Sequence, residues 1–289
     1  MTFNYKIINA DRLDFLKGIK DNSVQLIITS PPYNIGKSYE KKEPLDLYLK
    51  EQEKTLIECV KKLNNSGSIC WQVGNYISGK SEIIPLDILI YNICAKLGLK
   101  LRNRIVWHYE HGLHANKRFS GRYETIMWFT KSDNYYFNLD GVSEDKISKV
   151  RVPQKYPGKV AYQGKNKGKY SGNINGKNPS DVWIFPNVKS MHREKTIHPC
   201  QFPIELAERL VLSMSKKNDL VIDPYMGVGT TLLAALKNKR QAQGSEIKNE
   251  YVKVAMQRID LLKKGKLPIR EIFTPIQMLS PNSKLYKRS

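Results

Sequence analysis

The segment Ser30-Pro31-Pro32-Tyr33 places a hydroxyl, two prolines and an aromatic ring directly after an apolar run, residues 24–28. Successive prolines fix φ and remove two N–H donors, so we expect a stiff loop that presents acceptors. The Ser30 hydroxyl and the Pro31 carbonyl suit the two hydrogens of an exocyclic amine, and the Tyr33 ring suits stacking on a planar base. A Pro-Pro pair also ends strands that have no such role, so this segment alone leaves both interpretations open.

Residues 223–231, with the sequence DPYMGVGTT, lie between a predicted strand and a predicted helix. Gly227 and Gly229 allow the backbone to approach a ligand closely, and a helix N-terminus offers unpaired N–H groups to an anion. Glu246 ends the next strand about 20 residues further on, where an acidic residue accepts hydrogen bonds from ribose hydroxyls. Leu232 replaces the third glycine of G-x-G-x-x-G, which favours a nucleoside ligand over a dinucleotide. A glycine-rich connection without a ligand is the alternative.

Short apolar runs of strand length alternate with segments of helical periodicity along most of the chain. This alternation predicts an α/β fold, an open and mostly parallel sheet with crossover helices on its faces. Strands are expected at 5–9, 24–28, 68–73, 105–108, 125–130, 219–222 and 241–244. Helices are expected around Leu13 to Ile19, at 46–63, at 83–97, from Pro203 to Met214, at 232–237 and from Tyr251 to Ile259.

The composition changes between residues 146 and 180, where basic residues occur without an acidic one, among five glycines and three tyrosines. A solvated loop has such a composition. The same residue types also contact phosphates and stack bases, and a long segment without predicted elements is often functional. We therefore expect the region 140–192 to recognise a nucleic-acid target. Its basic residues between these limits are Lys146, Lys149, Arg151, Lys155, Lys159, Lys165, Lys167, Lys169 and Lys177.

The charge of the whole chain agrees with a polyanionic partner. The 289 residues include 48 Lys and Arg against 27 Asp and Glu, a formal net charge of +21. Basic side chains release the counterions condensed on phosphate backbones, so nucleic acid is the favoured partner over a merely basic surface. A hydrophobic content of 40% supports a folded core. We find neither a signal peptide nor an apolar span of about 20 residues, so no membrane partner is expected.

Cysteine and histidine spacing bears on compartment and metal binding. The four cysteines form no C-x-x-C pair, which favours a reducing compartment, here the cytoplasm and nucleoid of a prokaryote. His108, His111 and His114 form H-x-x-H-x-x-H. On a segment interrupted by Gly112 this spacing does not hold three imidazoles on one face, so no metal site is expected. Polar loop residues near DNA are the favoured interpretation.

Taken together, these motifs resemble those of the amino-group DNA methyltransferases of the restriction–modification type. TSPPYN at 29–34 is similar to the family's catalytic motif, and DPYMGVGTT at 223–231 is similar to its cofactor motif, D-P-F-x-G-x-G-T-T, with Tyr225 in place of Phe. KTIHPCQFP at 195–203 resembles the H-P-x-x-x-P segment, and Gly244-Ser245-Glu246 followed by Tyr251 resembles the ribose motif. Catalytic motif first, basic insert next and cofactor motif last is the circularly permuted order of the beta class. The resemblance implies a Rossmann-like methyltransferase sheet and S-adenosylmethionine as cofactor.

The resemblance also implies roles for individual residues. Ser30, Pro31, Pro32 and Tyr33 are the catalytic residues. Asp11 accepts from the adenine amino group of the cofactor and Glu246 holds its ribose, while His198 and Pro199 close the methionine side. The remaining residues surround the methionine part, with threonine hydroxyls and the helix N-terminus at its carboxylate: Asp223, Tyr225, Gly227, Gly229, Thr230 and Thr231.

The expected reaction is methylation of an exocyclic amine of a base extruded from duplex DNA. Acceptance of both N–H bonds localises the amine's lone pair, and no strong base is required beforehand. Within the resembling family Ser at the first motif position is usual for cytosine N4 and Asp for adenine N6, so Ser30 favours N4 of cytosine. Adenine N6 is the alternative, followed by RNA or protein-glutamine methylation and by nucleic-acid binding without catalysis.

We expect two halves of one methyltransferase domain around the insert. Residues 1–139 form the catalytic half, 140–192 the target-recognition insert, 193–266 the cofactor-binding half and 267–289 a C-terminal tail. Double-stranded DNA is the expected partner. A cognate restriction endonuclease and a homodimer are partners that the sequence leaves open, as it does the recognised DNA sequence.

Overall fold

Strands and helices alternate along the part of the chain that the computed structural model describes, residues 3–37, 40–79, 82–109, 112, 114–141, 150–152, 176–189 and 191–271. The first half contains β1 (Tyr5–Ile8), α1 (Arg12–Lys17), β2 (Val24–Thr29), α2 (Leu45–Lys62), β3 (Leu63–Val73), β4 (Asn75–Ser78), β5 (Glu82–Pro85), α3 (Leu86–Lys96), β6 (Lys100–His108) and β7 (Tyr123–Thr130). The second half contains β8 (Val182–Ile184), α4 (Ile204–Met214), β9 (Leu220–Asp223), α5 (Thr230–Lys237), β10 (Gln241–Ser245) and α6 (Asn249–Lys263).

Eight of these strands form one sheet in the order β1-β10-β9-β2-β3-β7-β6-β8. The five strands from β1 to β3 run parallel to one another, β7 is antiparallel to both of its neighbours, and β8 runs parallel to β6. β2 and β9 are adjacent although they come from opposite ends of the chain, with Ile27 opposite Ile222. The two halves of the chain therefore meet in the middle of the sheet, and the predicted mostly parallel α/β sheet is confirmed.

Helices cover both faces of the sheet, because its central strands bury side chains on both sides. Every residue of β2 is buried, as expected of a central parallel strand. Leu26 and Ile28 pack into the core that contains α4, α5 and α6. Ile27 points the other way, into the core that contains α1, α2 and α3. This three-layer packing covers both faces of the central strands and leaves the ends of those strands accessible to a ligand.

Several elements differ from the sequence predictions, among them β4, where no strand was expected. The segment predicted as helix from residue 83 begins as β5, which pairs with β4, and the helix α3 starts only at Leu86 after Pro85. α4 likewise starts at Ile204, one residue after its predicted first residue, because Pro203 has extended backbone angles (φ −75°, ψ 151°). β8 lies inside the predicted insert, where no strand was expected. It pairs with β6, so this part of the region 140–192 belongs to the central sheet.

The described residues contain neither a membrane-spanning helix nor a metal-binding cluster. None of the helices in the described ranges is both long and apolar enough to cross a bilayer. Within the same ranges, no group of three or more His, Cys, Asp or Glu side chains is arranged to hold a metal ion. His111, the middle residue of the histidine triplet, lies outside the described residues, as does most of the basic segment 146–180.

Candidate active site

The carboxyl ends of four neighbouring parallel strands, β1, β10, β9 and β2, meet at one edge of the sheet. The register fixes this arrangement, because Ile8 lies opposite Ser245 and Gly244 lies opposite Asp223. Loops that follow such strand ends at a change of strand order form the usual ligand crevice of open α/β sheets. The predicted catalytic and cofactor segments both follow these strands, so the fold brings them to the same crevice.

The loop after β2 is held rigidly by hydrogen bonds. The Tyr33 hydroxyl donates to Glu124 Oε2 at 2.9 Å and lies 2.9 Å from Ser30 Oγ. Its ring lies against Gly74, where a Cβ atom would come within 3.0 Å of two ring carbons. Asn34, in a left-handed conformation (φ 59°), pairs its side chain with the backbone N–H and carbonyl of Glu43. Ser30 and Tyr33 are therefore presented to the crevice in a fixed geometry.

Glu124 is the half-buried acid that this loop contacts, and no motif in the sequence marks it. Its carboxylate accepts from Gln72 Nε2 at 2.6 Å as well as from Tyr33. Burial raises the pKa of Glu124 above its ordinary value, and donation from Gln72 and Tyr33 opposes that shift. Burial, reinforced by the Glu124 charge, holds the pKa of Tyr33 well above its ordinary value. Tyr33 is therefore a protonated hydrogen-bond donor.

The glycine-rich turn between β9 and α5 is tied to the acidic residue that follows β10. Gly227 (φ 51°) and Gly229 (φ 80°) both have left-handed angles that favour glycine. The Gly227 N–H donates to Glu246 Oε2 at 3.2 Å, and the Lys248 N–H donates to Glu246 Oε1 at 2.8 Å. Burial raises the pKa of Glu246. Each Glu246 oxygen keeps a further lone pair, so the carboxylate still accepts hydrogen bonds from a ligand.

Asp223 lies beneath this turn rather than on its surface. Its carboxylate accepts from the Thr29 hydroxyl at 2.7 Å, the Thr231 hydroxyl at 2.7 Å and the Tyr225 N–H at 3.0 Å. Burial raises its pKa to about 6, although these three donors oppose the shift. Asp223 thus joins β2, β9 and α5 at the point where the two predicted motifs meet.

His198 forms one side of the crevice. Its Nδ1 accepts from the Cys200 N–H at 3.2 Å, and its ring contacts the Tyr251 ring with centroids 4.7 Å apart. Burial, aided by nearby cations, lowers its pKa to about 4, so the ring is neutral at neutral pH. Because Nδ1 is an acceptor, the proton lies on Nε2. Nε2 faces the turn, where a Cβ atom on Gly227 would lie 3.3 Å from it.

The opposite side of the crevice is formed by Asp11, Arg12 and Tyr225. Asp11 follows β1, which ends at Ile8, and it caps α1, where its Oδ1 accepts from the Leu13 N–H at 2.8 Å. Its Oδ2 accepts from Arg12 at 2.6 Å. The Tyr225 hydroxyl lies 3.1 Å from the Thr55 hydroxyl, and this contact holds the Tyr225 ring in place at the crevice.

One cavity connects these groups. Most of the predicted site residues line it: Asp11, Ser30, Pro31, Pro32, Tyr33, His198, Tyr225, Gly227, Thr230 and Glu246. The others are not among its lining residues: Pro199, Asp223, Gly229 and Thr231. Several lining residues were not predicted, among them Arg12, Cys200, Gln201, Phe202 and Met226. Arg12 has no motif of its own, whereas the other four lie inside the motif segments 195–203 and 223–231 at positions to which no role was assigned.

Comparison with known proteins establishes the family. A sequence profile described as DNA methylase, for the N6 and N4 enzymes, matches residues 24–257. The chain belongs to this family. Its sequence is 50% identical over 252 residues to the type II methyltransferase M.BglII of Bacillus subtilis. This match covers 87% of this chain and 68% of the relative. It is 35% identical over 263 residues to the DNA adenine methyltransferase YhdJ of Escherichia coli K12, covering 88% and 82%.

Solved structures show the same fold for this DNA methylase. The PvuII DNA methyltransferase, named cytosine-N4-specific, superposes with a TM-score of 0.68 at 21% identity, covering 89% of this chain and 86% of that one. TTHA0409 of Thermus thermophilus, solved in complex with S-adenosyl-L-methionine, superposes with a TM-score of 0.64 at 24% identity, covering 92% and 96%. The predicted family and the predicted methyltransferase fold are therefore confirmed.

Proposed function

We propose that this DNA methyltransferase transfers a methyl group from S-adenosylmethionine to the exocyclic N4 amine of cytosine in duplex DNA. One observation carries the proposal. A single cavity is lined on one side by the Ser30–Tyr33 loop, an acceptor and an aromatic ring, and on the other by Gly227, Thr230 and Glu246. A base and a nucleoside-bearing methyl donor placed in these two parts have their reacting groups adjacent, which is the main requirement of a transfer between them.

The lining residues match the chemistry of S-adenosylmethionine. Glu246 is a half-buried carboxylate that suits two ribose hydroxyls. The absence of side chains at Gly227 leaves the turn open beside the neutral His198, and the N-terminus of α5 begins at Thr230 without a side-chain cap. The backbone N–H groups at the N-terminus of α5 suit the carboxylate of the methionine part of the cofactor. Asp11, beside Tyr225, is proposed for the adenine amine.

The residues that do not line the cavity are proposed to act by positioning those that do. Thr231 donates to Asp223 at 2.7 Å, and Asp223 holds the glycine-rich turn against β2 by accepting from the Thr29 hydroxyl at 2.7 Å. Gly229 provides the left-handed residue that starts α5. Pro199 follows His198 directly and restricts its backbone.

The reaction needs little chemistry from the protein beyond orientation. S-adenosylmethionine supplies a methyl group that its sulfonium already activates. Ser30 Oγ and the Pro31 carbonyl accept the two amine hydrogens of the base, which favours a pyramidal nitrogen with a localised lone pair. Tyr33 contacts the base ring. The methylated nitrogen is cationic and loses its proton readily, so no group needs to act as a strong base beforehand. A paired base reaches this cavity only when it is extruded from the duplex, at a cost of about a few kcal/mol.

The choice of cytosine rests on Ser30 at the first position of the catalytic loop. Its side chain carries a neutral hydroxyl, and serine at this position is usual for cytosine N4 enzymes in the family that the motifs resemble. Adenine N6 is the second candidate. It is favoured by the 35% identity to YhdJ, whose name specifies adenine.

Duplex DNA is proposed to lie across the cavity, with the basic region 140–192 as its target-recognition part. Lys146 to Lys177 supply the charge of that part, most of it outside the described residues. The division into a catalytic half (1–139), this insert and a cofactor half (193–266) is part of the same proposal. The relative M.BglII is named a type II methyltransferase, so a cognate restriction endonuclease is proposed as the accompanying enzyme.

Incubation of the purified protein with S-adenosylmethionine and unmethylated duplex DNA, followed by nucleoside mass spectrometry, tests the proposal. N4-methylcytosine is the expected product. N6-methyladenine would keep the enzyme class and refute the choice of base. Ser30→Ala should abolish most of the product, whereas Ser78→Ala, a matched change on β4 outside the cavity, should leave it unchanged. Absence of any methylated nucleoside across varied DNA would refute the proposal.

A further inference from the structure

A series of hydrogen bonds leads from Ser30, in the loop after β2, to the half-buried carboxylate of Glu124 on β7. Ser30 Oγ lies 2.9 Å from the Tyr33 hydroxyl, and that hydroxyl donates to Glu124 Oε2 at 2.9 Å. Gln72 Nε2 donates to the same carboxylate oxygen at 2.6 Å and lies 3.3 Å from the Tyr33 oxygen. β3 and β7 hold Gln72 and Glu124 opposite the catalytic loop, so strand pairing fixes this series.

The number of hydrogens available fixes which group donates in each of these hydrogen bonds. A phenol has one hydrogen, and Tyr33 gives it to Glu124, because an ionised carboxylate only accepts. The contact between Ser30 and Tyr33 must then be a donation from Ser30. The single hydroxyl hydrogen of Ser30 is thereby engaged by Tyr33, and the lone pairs of Oγ remain available to a ligand in the cavity.

We propose that Glu124 is a positioning residue that, through Tyr33, fixes the Ser30 hydroxyl as an acceptor and so restricts the site to bases whose exocyclic amine lies at C4 of a pyrimidine or C6 of a purine. This inference rests on the proposed function. An exocyclic amine at this position donates a hydrogen bond to Ser30 Oγ. The carbonyl oxygen at the corresponding position of thymine or guanine would instead face the lone pairs of Ser30 Oγ, with no hydrogen between the two acceptors. Buried polar groups left unpaired in this way cost enough to reject a wrong partner strongly.

Whether the Ser30 hydroxyl acts as an acceptor toward the base therefore depends on the ionisation of Glu124. The groups that face Glu124 are Tyr33, Gln72, Tyr109 and Lys189, from four different parts of the chain. Tyr109 is 3.5 Å from Oε1, and the Lys189 charge favours the ionised form. Burial acts in the other direction and raises the pKa of Glu124. Methyl transfer should therefore fall as pH drops through this raised pKa, because a protonated Glu124 no longer requires the Tyr33 hydrogen.

Single-turnover methyl transfer by Glu124→Gln, Tyr33→Phe and the double variant tests this series of hydrogen bonds. Glu124→Gln should slow transfer by about 100-fold, as loss of one preorganised polar contact does, with the dissociation constant of S-adenosylmethionine unchanged. In the Tyr33→Phe background Glu124→Gln should have no further effect, because the connection is already cut. Glu58→Gln, at a half-buried acid on α2 that does not line the cavity, is the matched control and should behave as wild type.

The outcomes separate this inference from the proposed function. Independent, multiplying effects of Glu124→Gln and Tyr33→Phe, or wild-type rates for Glu124→Gln, would overturn the inference while leaving DNA methylation intact. A wild-type protein that methylates no DNA would refute the proposed function instead.

A measurement without activity tests the hydrogen bond itself. In protein labelled with carbon-13 at glutamate carboxyl groups, the Glu124 signal should titrate at a higher pH in Tyr33→Phe than in wild type, because the carboxylate loses a donor. An unchanged titration would overturn the inference even in an inactive protein.

Discussion

Ser30 and Glu246 line the same cavity, yet they contact different parts of the proposed complex. Tyr33 accepts the hydroxyl hydrogen of Ser30, so Ser30 Oγ presents lone pairs to the proposed place of the base. Glu246 is tied to the backbone of the glycine-rich turn by the 3.2 Å bond from Gly227. Substitutions at the two positions should therefore change different kinetic quantities, even though both residues belong to one site.

Ser30→Ala should reduce the rate of methyl transfer by about 100-fold and leave the affinity for S-adenosylmethionine nearly unchanged. Glu246→Gln should do the reverse and weaken cofactor binding by about tenfold or more, because it removes a charged acceptor. Calorimetric titration with the cofactor and single-turnover transfer to DNA separate the two quantities. Equal and mild effects of both substitutions would contradict the assignment.

His198 supplies a pH prediction. Its pKa in the folded protein, about 4, lies below the ordinary value of 6.5 chiefly because of burial. Between these two values the unfolded chain binds a proton that the folded chain does not, so the free energy of unfolding decreases as pH falls from about 6.5 to about 4. His198→Gln should have a shallower loss of stability over this window in urea titrations at pH 7 and pH 5. A slope identical to wild type would mean that His198 is readily protonated in the fold.

The sequence predicted the residues that carry motifs and missed those that support them. Ser30, Gly227 and Glu246 are recognisable because special backbone or acceptor chemistry follows a predicted strand. Glu124 has a weaker signal, a single acid at the start of the apolar run TIMWFT. Its partner Tyr33 is 91 residues away in sequence, so only the pairing of β3 with β7 brings them together.

At the scale of elements, the start of α5 depends on Gly229. This residue has φ 80°, and a Cβ atom there would lie 3.1 Å from Ala255 Cβ on α6. Gly229→Ala should lower the free energy of unfolding by about 1–2 kcal/mol for the left-handed conformation, with a further loss for the contact with α6. Urea denaturation measures the total.

Gly98→Ala is a matched control for this substitution. Gly98 has nearly the same angle, φ 78°, and no heavy atom lies within 4 Å of the added Cβ. The difference between the two variants isolates the cost of pressing α5 against α6. If both variants lose the same stability, the packing of these helices does not depend on a glycine at 229.

Most of the fold was predictable from the alternation of strands and helices, and the exceptions have local causes. Ile83 and Ile84 of β5 continue the apolar pattern of α3, so the sequence predicts a helix over both segments. Only Pro85, which favours extended backbone before it, marks the boundary. β8 has three residues at the sheet edge, too few for a clear period, and its neighbours in sequence are rich in polar residues.

At the scale of the whole molecule, the net charge of +21 is the main determinant of how strongly DNA is held, but its distribution decides where. Lysines on α2 are offset by acids on the same helix, as in the pairs Lys54–Glu51 and Lys61–Glu58. The segment 146–180 has no acid to offset its lysines. The affinity for DNA should therefore depend far more on the lysines of segment 146–180 than on those of α2.

Replacing Lys165, Lys167 and Lys169 together by Gln should lower the slope of log K against log salt for duplex DNA by up to about 3, since each phosphate contact contributes about 0.9. Replacing Lys50, Lys54 and Lys61 of α2 by Gln removes the same charge and should leave the slope nearly unchanged, because those lysines pair with Asp46, Glu51 and Glu58. Fluorescence anisotropy of labelled duplex, over a salt range of about 50 to 200 mM, measures both. Equal slopes for the two variants would mean that net charge alone attracts DNA, and that the region 140–192 has no special place in its recognition.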